Sequence, residues 1–253
     1  MKPCANLTLL FNEHPVMERF GAAKEAGFDY VEVLFPYDVP VQDVVRELTI
    51  HDLKMVLINC PPPNYTGGEP GWAAVPGSRF QSDFKRALRY AQALKVTHLH
   101  IMAGDAEGDA ARACFVDNLR WAADQAPDQS LTIEPLNPDD KPGYFLNDFG
   151  LALEVIAAVD RPNLRLQYDT YHAAKIHGDA AKVWDDVKDM VVHVQVGQAP
   201  VRTEPVGKGI DFKSLFATMK ADGYNGWVSG EYHPAGRTEV GLAWLDTLTA
   251  VMD

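Results

Sequence analysis

Apolar and polar residues alternate along Leu131-Thr132-Ile133-Glu134, and the run stops at Pro135. Alternation with period two predicts a strand with one apolar face, and a proline, which cannot donate to a ladder, ends it at Glu134. Three later stretches repeat the pattern: 164–169 ends on Asp169, 191–195 on Gln195, and 227–231 on Glu231. In each, the terminal oxygen-bearing residue keeps the parity of the polar positions. Four consecutive strands therefore offer one oxygen donor each, at the same end and on the same face.

The same reading predicts earlier strands over 6–11, 30–33, 54–59 and 98–102. Between the strands the apolar spacing becomes helical, as in Phe84, Leu88, Ala91 and Leu94. Helices are expected over 15–26, 41–51, 80–94, 111–126, 148–159, 180–187, 212–222 and 238–252, with Asp148 as a cap and Gly27 as a stop. Eight β-then-α units without a linker or repeat imply a parallel sheet. At 253 residues they close most economically into a single (β/α)8 TIM barrel spanning 1–253.

Composition narrows the partners. A net charge of −12 and a pI near 5.0 oppose nucleic acid and anionic membranes. Apolar content of 47% without a membrane-length run or a signal-peptide pattern fits a soluble, cytoplasmic chain. Cys4, Cys60 and Cys114 are odd in number and widely spaced, so they read as reduced thiols. Homo-oligomerisation is open to such a chain.

Barrel enzymes carry their chemistry at the C-terminal ends of the strands. Glu134, Asp169, Gln195 and Glu231 would meet there and hold a hard divalent cation, Mg or Mn sooner than zinc, because all four donors are oxygens. Such a cation could chelate a carbonyl and an adjacent hydroxyl, and so favour an enediolate. Glu134 and Glu231, from opposite sides of the arc, could then move the proton as an acid/base pair. His172, three residues past Asp169, is placed to hydrogen-bond a substrate oxygen or, equally, loop backbone. Arg202 could grip a carboxylate with both arms, or lie solvated in its loop. His193 reads as an interior group behind Gln195. His98 and His100 read as an interior polar layer sooner than as a second metal site. Residues 60–79, rich in Pro and Gly, form a long loop at the same end. It reads as a lid, with Trp72 covering the pocket or packing the loop. No phosphate-cradling glycine motif or nucleophile elbow appears.

At these residues the chain resembles the hydroxypyruvate isomerase family, within the xylose-isomerase-like barrels. The resemblance rests on Ile133-Glu134-Pro135-Leu136-Asn137, Gln167-Tyr168-Asp169-Thr170-Tyr171-His172, His193-Val194-Gln195, Glu204-Pro205 and Gly230-Glu231-Tyr232, supported by Asn59 with its Pro-rich loop. It implies metal binding by Glu134, Asp169, Gln195 and Glu231, with Glu134 and Glu231 as the catalytic pair. Asn59, Trp72, His172 and Arg202 are the residues expected to bind the substrate. The expected substrate is a small hydroxy-keto acid, first hydroxypyruvate interconverting with 2-hydroxy-3-oxopropanoate. A 2-oxo-tetronate isomerase or ketose 3-epimerase stands beside it, and an abasic-site endonuclease or a non-catalytic sugar-acid binder further off. One segment departs from the family: after Gln195 its usual Asp and His are replaced, and Gly209 stands where a Glu is expected.

Overall fold

The computed structural model describes residues 1–60, 71–77 and 79–252. Its parallel strands are β1 Lys2–Asn6, β2 Tyr30–Glu32, β3 Lys54–Met55, β4 Leu57–Asn59, β5 His98–His100, β6 Ser130–Ile133, β7 Leu164–Asp169, β8 Val191–Val196 and β9 Trp227–Gly230. They follow the order β3-β2-β1-β9-β8-β7-β6-β5-β4. The two ends of that order are halves of one strand. Val56 lies between β3 and β4; its N–H donates to Val31 O (2.7 Å) on one side, and its carbonyl accepts from His98 N (2.8 Å) on the other. The ring thus closes at eight strands, the expected TIM barrel.

The helices are α1 Arg19–Glu25, α2 Val41–Ile50, α3 Arg79–Leu94, α4 Gly108–Gln125, α5 Phe149–Val159, α6 Thr170–His177, α7 Ala180–Val187, α8 Phe212–Ala221 and α9 Trp244–Met252. Helix α3 buries an apolar stripe of Phe80, Phe84, Ala87, Ala91 and Leu94. Asp148 caps α5 as expected, its side chain accepting from Leu151 N at 2.9 Å. The main core lies between the strands and this helical shell.

Three elements depart from the sequence reading. The first strand is Lys2–Asn6, not 6–11. Asn6 starts a turn instead: its Oδ1 accepts from Thr8 N (3.0 Å) and its carbonyl from Leu10 N (2.8 Å). The apolar run that follows is still buried, with Leu10 and Phe11 plugging the core from a loop. Helix α6 was not expected. It starts directly at the end of β7, because Asp169 serves both as the last strand residue and as the N-cap, accepting from Tyr171 N at 2.8 Å. The span 238–252 is a 3-10 turn, Thr238–Gly241, followed by α9. Among the described residues no helix is long and apolar enough to cross a membrane, and the three cysteines are free.

Candidate active site

The strand-end parity brings the four oxygen donors together at the C-terminal mouth. Glu134 follows β6, Asp169 ends β7, Gln195 lies in β8 and Glu231 follows β9; all are buried. Ligand atoms of Glu134, Asp169 and His172 lie within 4.8 Å of one another. Gln167, one inward position below Asp169, ties Glu134 to Gln195. Its Nε2 donates to Glu134 Oε2 (2.8 Å) and to Gln195 Oε1 (2.6 Å).

Arg202 completes the cluster in an arrangement the sequence did not reveal. Its Nη2 donates to Asp169 Oδ2 and to Glu231 Oε1 (2.9 Å), and its Nε donates to the Glu231 carbonyl (3.1 Å). Its guanidinium also lies over the Tyr171 ring, 5.2 Å from the centroid. Gly197 makes room for this packing: a Cβ there would stand 2.9 Å from the Glu231 carbonyl and 3.2 Å from Arg202 Cγ. The side chain offered as a substrate anchor is thus an internal cation, bridging two of the expected metal ligands.

The electrostatics follow from burial and crowding. Burial, then the charges of Glu231 and Asp169, push the Glu134 carboxyl well above its ordinary range. Burial raises Asp169 as well, although Arg202 and the Tyr171 N–H oppose it. Glu231 is pushed up to about 8, by burial first and then by Asp169 and Glu32, with Arg202 pulling the other way. Burial opposes the Arg202 charge, but Asp169, Glu231 and Glu134 hold the guanidinium above its ordinary range. Among the described residues, the buried Glu134 Oε1 and Glu231 Oε2 have no hydrogen-bond partner. Such oxygens are costly unless something positive meets them. An all-oxygen donor set of this kind fits a hard divalent cation, which Glu134, Asp169, Gln195 and Glu231 would hold.

His172 is fixed by Asn137, whose backbone N–H donates to Nδ1 at 3.0 Å. Nδ1 is therefore an acceptor, which leaves the proton of the neutral ring on Nε2, 3.9 Å from Asp169 Oδ2. Burial and Arg202 hold the ring well below the usual imidazole range, so it stays neutral. Asn59, expected to line the pocket, accepts from His100 Nδ1 through Oδ1 at 3.0 Å. His98 bonds Ser130 Oγ at 2.9 Å, and burial pulls both His98 and His100 down to about 3, as befits an interior polar layer. Trp72 is half-buried beneath the Arg79 guanidinium, in a segment anchored where Gly71 bridges antiparallel to Ala103. Most of the expected lid, including Pro61–Pro63 and Thr66–Gly68, lies outside the described residues.

Two contributors escaped the sequence reading. Gln167 reads in sequence only as a polar strand position. Glu32, fully buried, binds Asn6 Nδ2 (2.8 Å), His193 Nε2 (2.7 Å) and Gln195 Nε2 (2.8 Å). The available signal was Val31-Glu32-Val33, the same strand-end acid between apolar residues that singled out Glu134.

The family model described as xylose isomerase-like TIM barrel matches residues 20–248. The chain belongs to this family. It is 40% identical to the 2-oxo-tetronate isomerase of Haemophilus influenzae, over 96% of this chain and 98% of that protein. It is 36% identical to the hydroxypyruvate isomerase of Escherichia coli K12, over 96% and 97%. A solved structure named AP endonuclease, family 2, from Brucella melitensis superposes with a TM-score of 0.93 at 42% identity, covering 97% of this chain and 98% of that one. With relatives named as isomerases at 36% and 40% identity over nearly its whole length, the chain is an isomerase.

Proposed function

We propose that the protein is a cation-dependent aldose–ketose isomerase of a short hydroxy-oxo acid. The observation that carries this reading is the meeting of three buried, proton-retaining carboxyls with one guanidinium at the barrel mouth. Mg or Mn held by Glu134, Asp169, Gln195 and Glu231 would supply Lewis acidity toward a carbonyl and its neighbouring hydroxyl. Glu231 at about 8 lies near the pH where a carboxyl can both give and take a proton. Glu134, raised by the same crowding, faces it as the second proton carrier. His172 offers its Nε2–H to a substrate oxygen, and Arg202 is the cation suited to the substrate carboxylate.

Hydroxypyruvate and 2-oxo-tetronate are the two substrates to test, because the names of the relatives divide between them. Each would be incubated in D2O with Mg- or Mn-loaded protein and with chelated protein. Deuterium entering the carbon-bound position only with metal present supports the reading; no exchange with either acid would refute it. The name of the Brucella relative favours a second reading, cleavage at abasic sites in DNA. The net charge of −12 and the all-oxygen donor set oppose it. Nicking of an abasic duplex by the loaded protein, abolished in Asp169→Asn, would establish it.

A further inference from the structure

A glutamine ligand has an ambiguity that a carboxylate lacks. Its amide presents oxygen from one end and N–H from the other, and only the oxygen can bind a cation. Something must set which end of Gln195 faces the mouth. We propose that Glu32 is the positioning residue that does so, fixing Gln195 with its oxygen toward the cation site. The proposal rests on the cation reading above.

The geometry is directional. Glu32 is fully buried, and its carboxylate can only accept. Its Oε1 takes hydrogen bonds from Asn6 Nδ2 and Gln195 Nε2, both at 2.8 Å, while Oε2 takes one from His193 Nε2 at 2.7 Å. Reversing the Gln195 amide would set oxygen against oxygen at that 2.8 Å contact. On the opposite side, the Gln195 Oε1 accepts from Gln167 Nε2, which also donates to Glu134 Oε2. The chain Glu32–Gln195–Gln167–Glu134 is thus anchored by an acceptor at each end. Only one orientation of the Gln195 amide satisfies all of it.

The test is Mn affinity, measured by calorimetric titration at pH 8 and by the free-Mn EPR signal, so turnover is not the readout. Glu32→Leu removes the acceptor and should weaken Mn binding by about 10–100-fold, the usual effect of losing a group that orients a ligand. Glu32→Gln keeps an oxygen for Gln195 Nε2, since its own NH2 can turn to His193 once that ring carries its proton on Nδ1 and accepts through Nε2. It should stay within about threefold of wild type, a small fraction of that loss. Gln195→Glu has no wrong end. It should weaken Mn binding beside the native Glu32, where two carboxylates would confront each other, yet restore affinity in the Glu32→Leu background. Equal losses in Glu32→Gln and Glu32→Leu would make the effect one of charge and overturn the proposal. So would a Gln195→Glu variant that binds Mn more tightly with Glu32 present, a readout that stands even if Glu32→Leu does not fold. Gln195→Ala separates the two levels. Unchanged Mn affinity there removes Gln195 as a ligand and the role of Glu32 with it. A loss in Gln195→Ala with none in Glu32→Leu refutes Glu32 alone.

Discussion

Replacing Glu231 by glutamine should make the metal-free protein more stable at neutral pH, although it removes an ion pair with Arg202. The folded state holds the Glu231 carboxyl at about 8, against an ordinary 4.5. A carboxyl raised on folding binds more protons folded than unfolded between those two values. Its contribution is therefore intact below pH 4.5 and is lost as the pH rises through about 8. At about 1.4 kcal/mol per pH unit, the loss reaches about 3 kcal/mol by pH 7 and about 4 kcal/mol by pH 8, where the folded group is itself half ionised. The amide of the Glu231→Gln variant does not titrate and escapes this decline, and it also relieves the repulsion felt by Glu134. For a chain of this size the difference at pH 7 corresponds to roughly 6–12 °C in Tm. The assay is thermal unfolding followed by circular dichroism in EDTA, at half-unit steps from pH 5 to 8. The variant curve should stay flatter and separate from wild type as the pH rises. Parallel curves, or a wild type that gains stability across this range, would refute the crowding argument. In the same variant at saturating Mn, turnover should fall by about 10²–10⁴-fold, because an amide can hold a cation but cannot carry a proton. Near wild-type turnover would leave Glu231 as a ligand only.

Asp169→Asn should lose most Mn affinity while keeping the fold, since the amide oxygen still caps α6 through Tyr171 N; calorimetry with circular dichroism checks both. Metal binding should release protons below pH 8, because Glu134, Asp169 and Glu231 all retain them more strongly than usual; titrations in two buffers of different ionisation heat would show it. Arg202→Ala should tighten Mn binding in the absence of substrate, by removing the internal cation on Asp169 and Glu231, yet raise KM for an acidic substrate more than for a neutral ketose. Equal KM changes for both would remove Arg202 as the carboxylate anchor.

What could be read from sequence was whatever strand periodicity determines. Parity says which side chains point inward and where a strand stops. The inward-facing ends of β6 to β9 and the count of eight strands were therefore legible. Parity does not say which inward side chains meet across the barrel. Glu32 and Gln195 lie 163 residues apart and touch only because the ring closes. The first strand was misplaced because the buried residues Leu10 and Phe11 look like strand in sequence, whereas the Asn6 turn makes them a plug. The departure after Gln195 also has a physical basis. Gln198 staples its loop, accepting from Ile210 N at 2.7 Å and donating to Val206 O at 3.2 Å. Gly209 has φ +121°, and a Cβ there would lie 2.4 Å from Gln198 Oε1. Gln198 and Gly209 thus fit one another within this loop, and the four oxygen donors stand outside that fit.

The charge count at the mouth explains why a divalent ion and an acidic substrate belong to the same proposal. Three carboxylates, Glu134, Asp169 and Glu231, face one guanidinium, leaving two negative charges when all are ionised. In a buried site that excess is relieved by keeping protons, as the raised carboxyls show, or by a cation of charge two. A divalent ion held by Asp169 and Glu231 would compete with Arg202 for both. The guanidinium would then be left without these anionic partners in a site that is largely desolvated. A substrate carboxylate would restore that pairing; a neutral sugar would not. Metal and acid should therefore bind cooperatively, each tightening the other by the same factor. Mn affinity measured with and without a non-reacting short-chain carboxylate should show that coupling in wild type and lose it in Arg202→Ala. Coupling that survived the substitution would show that another group receives the carboxylate.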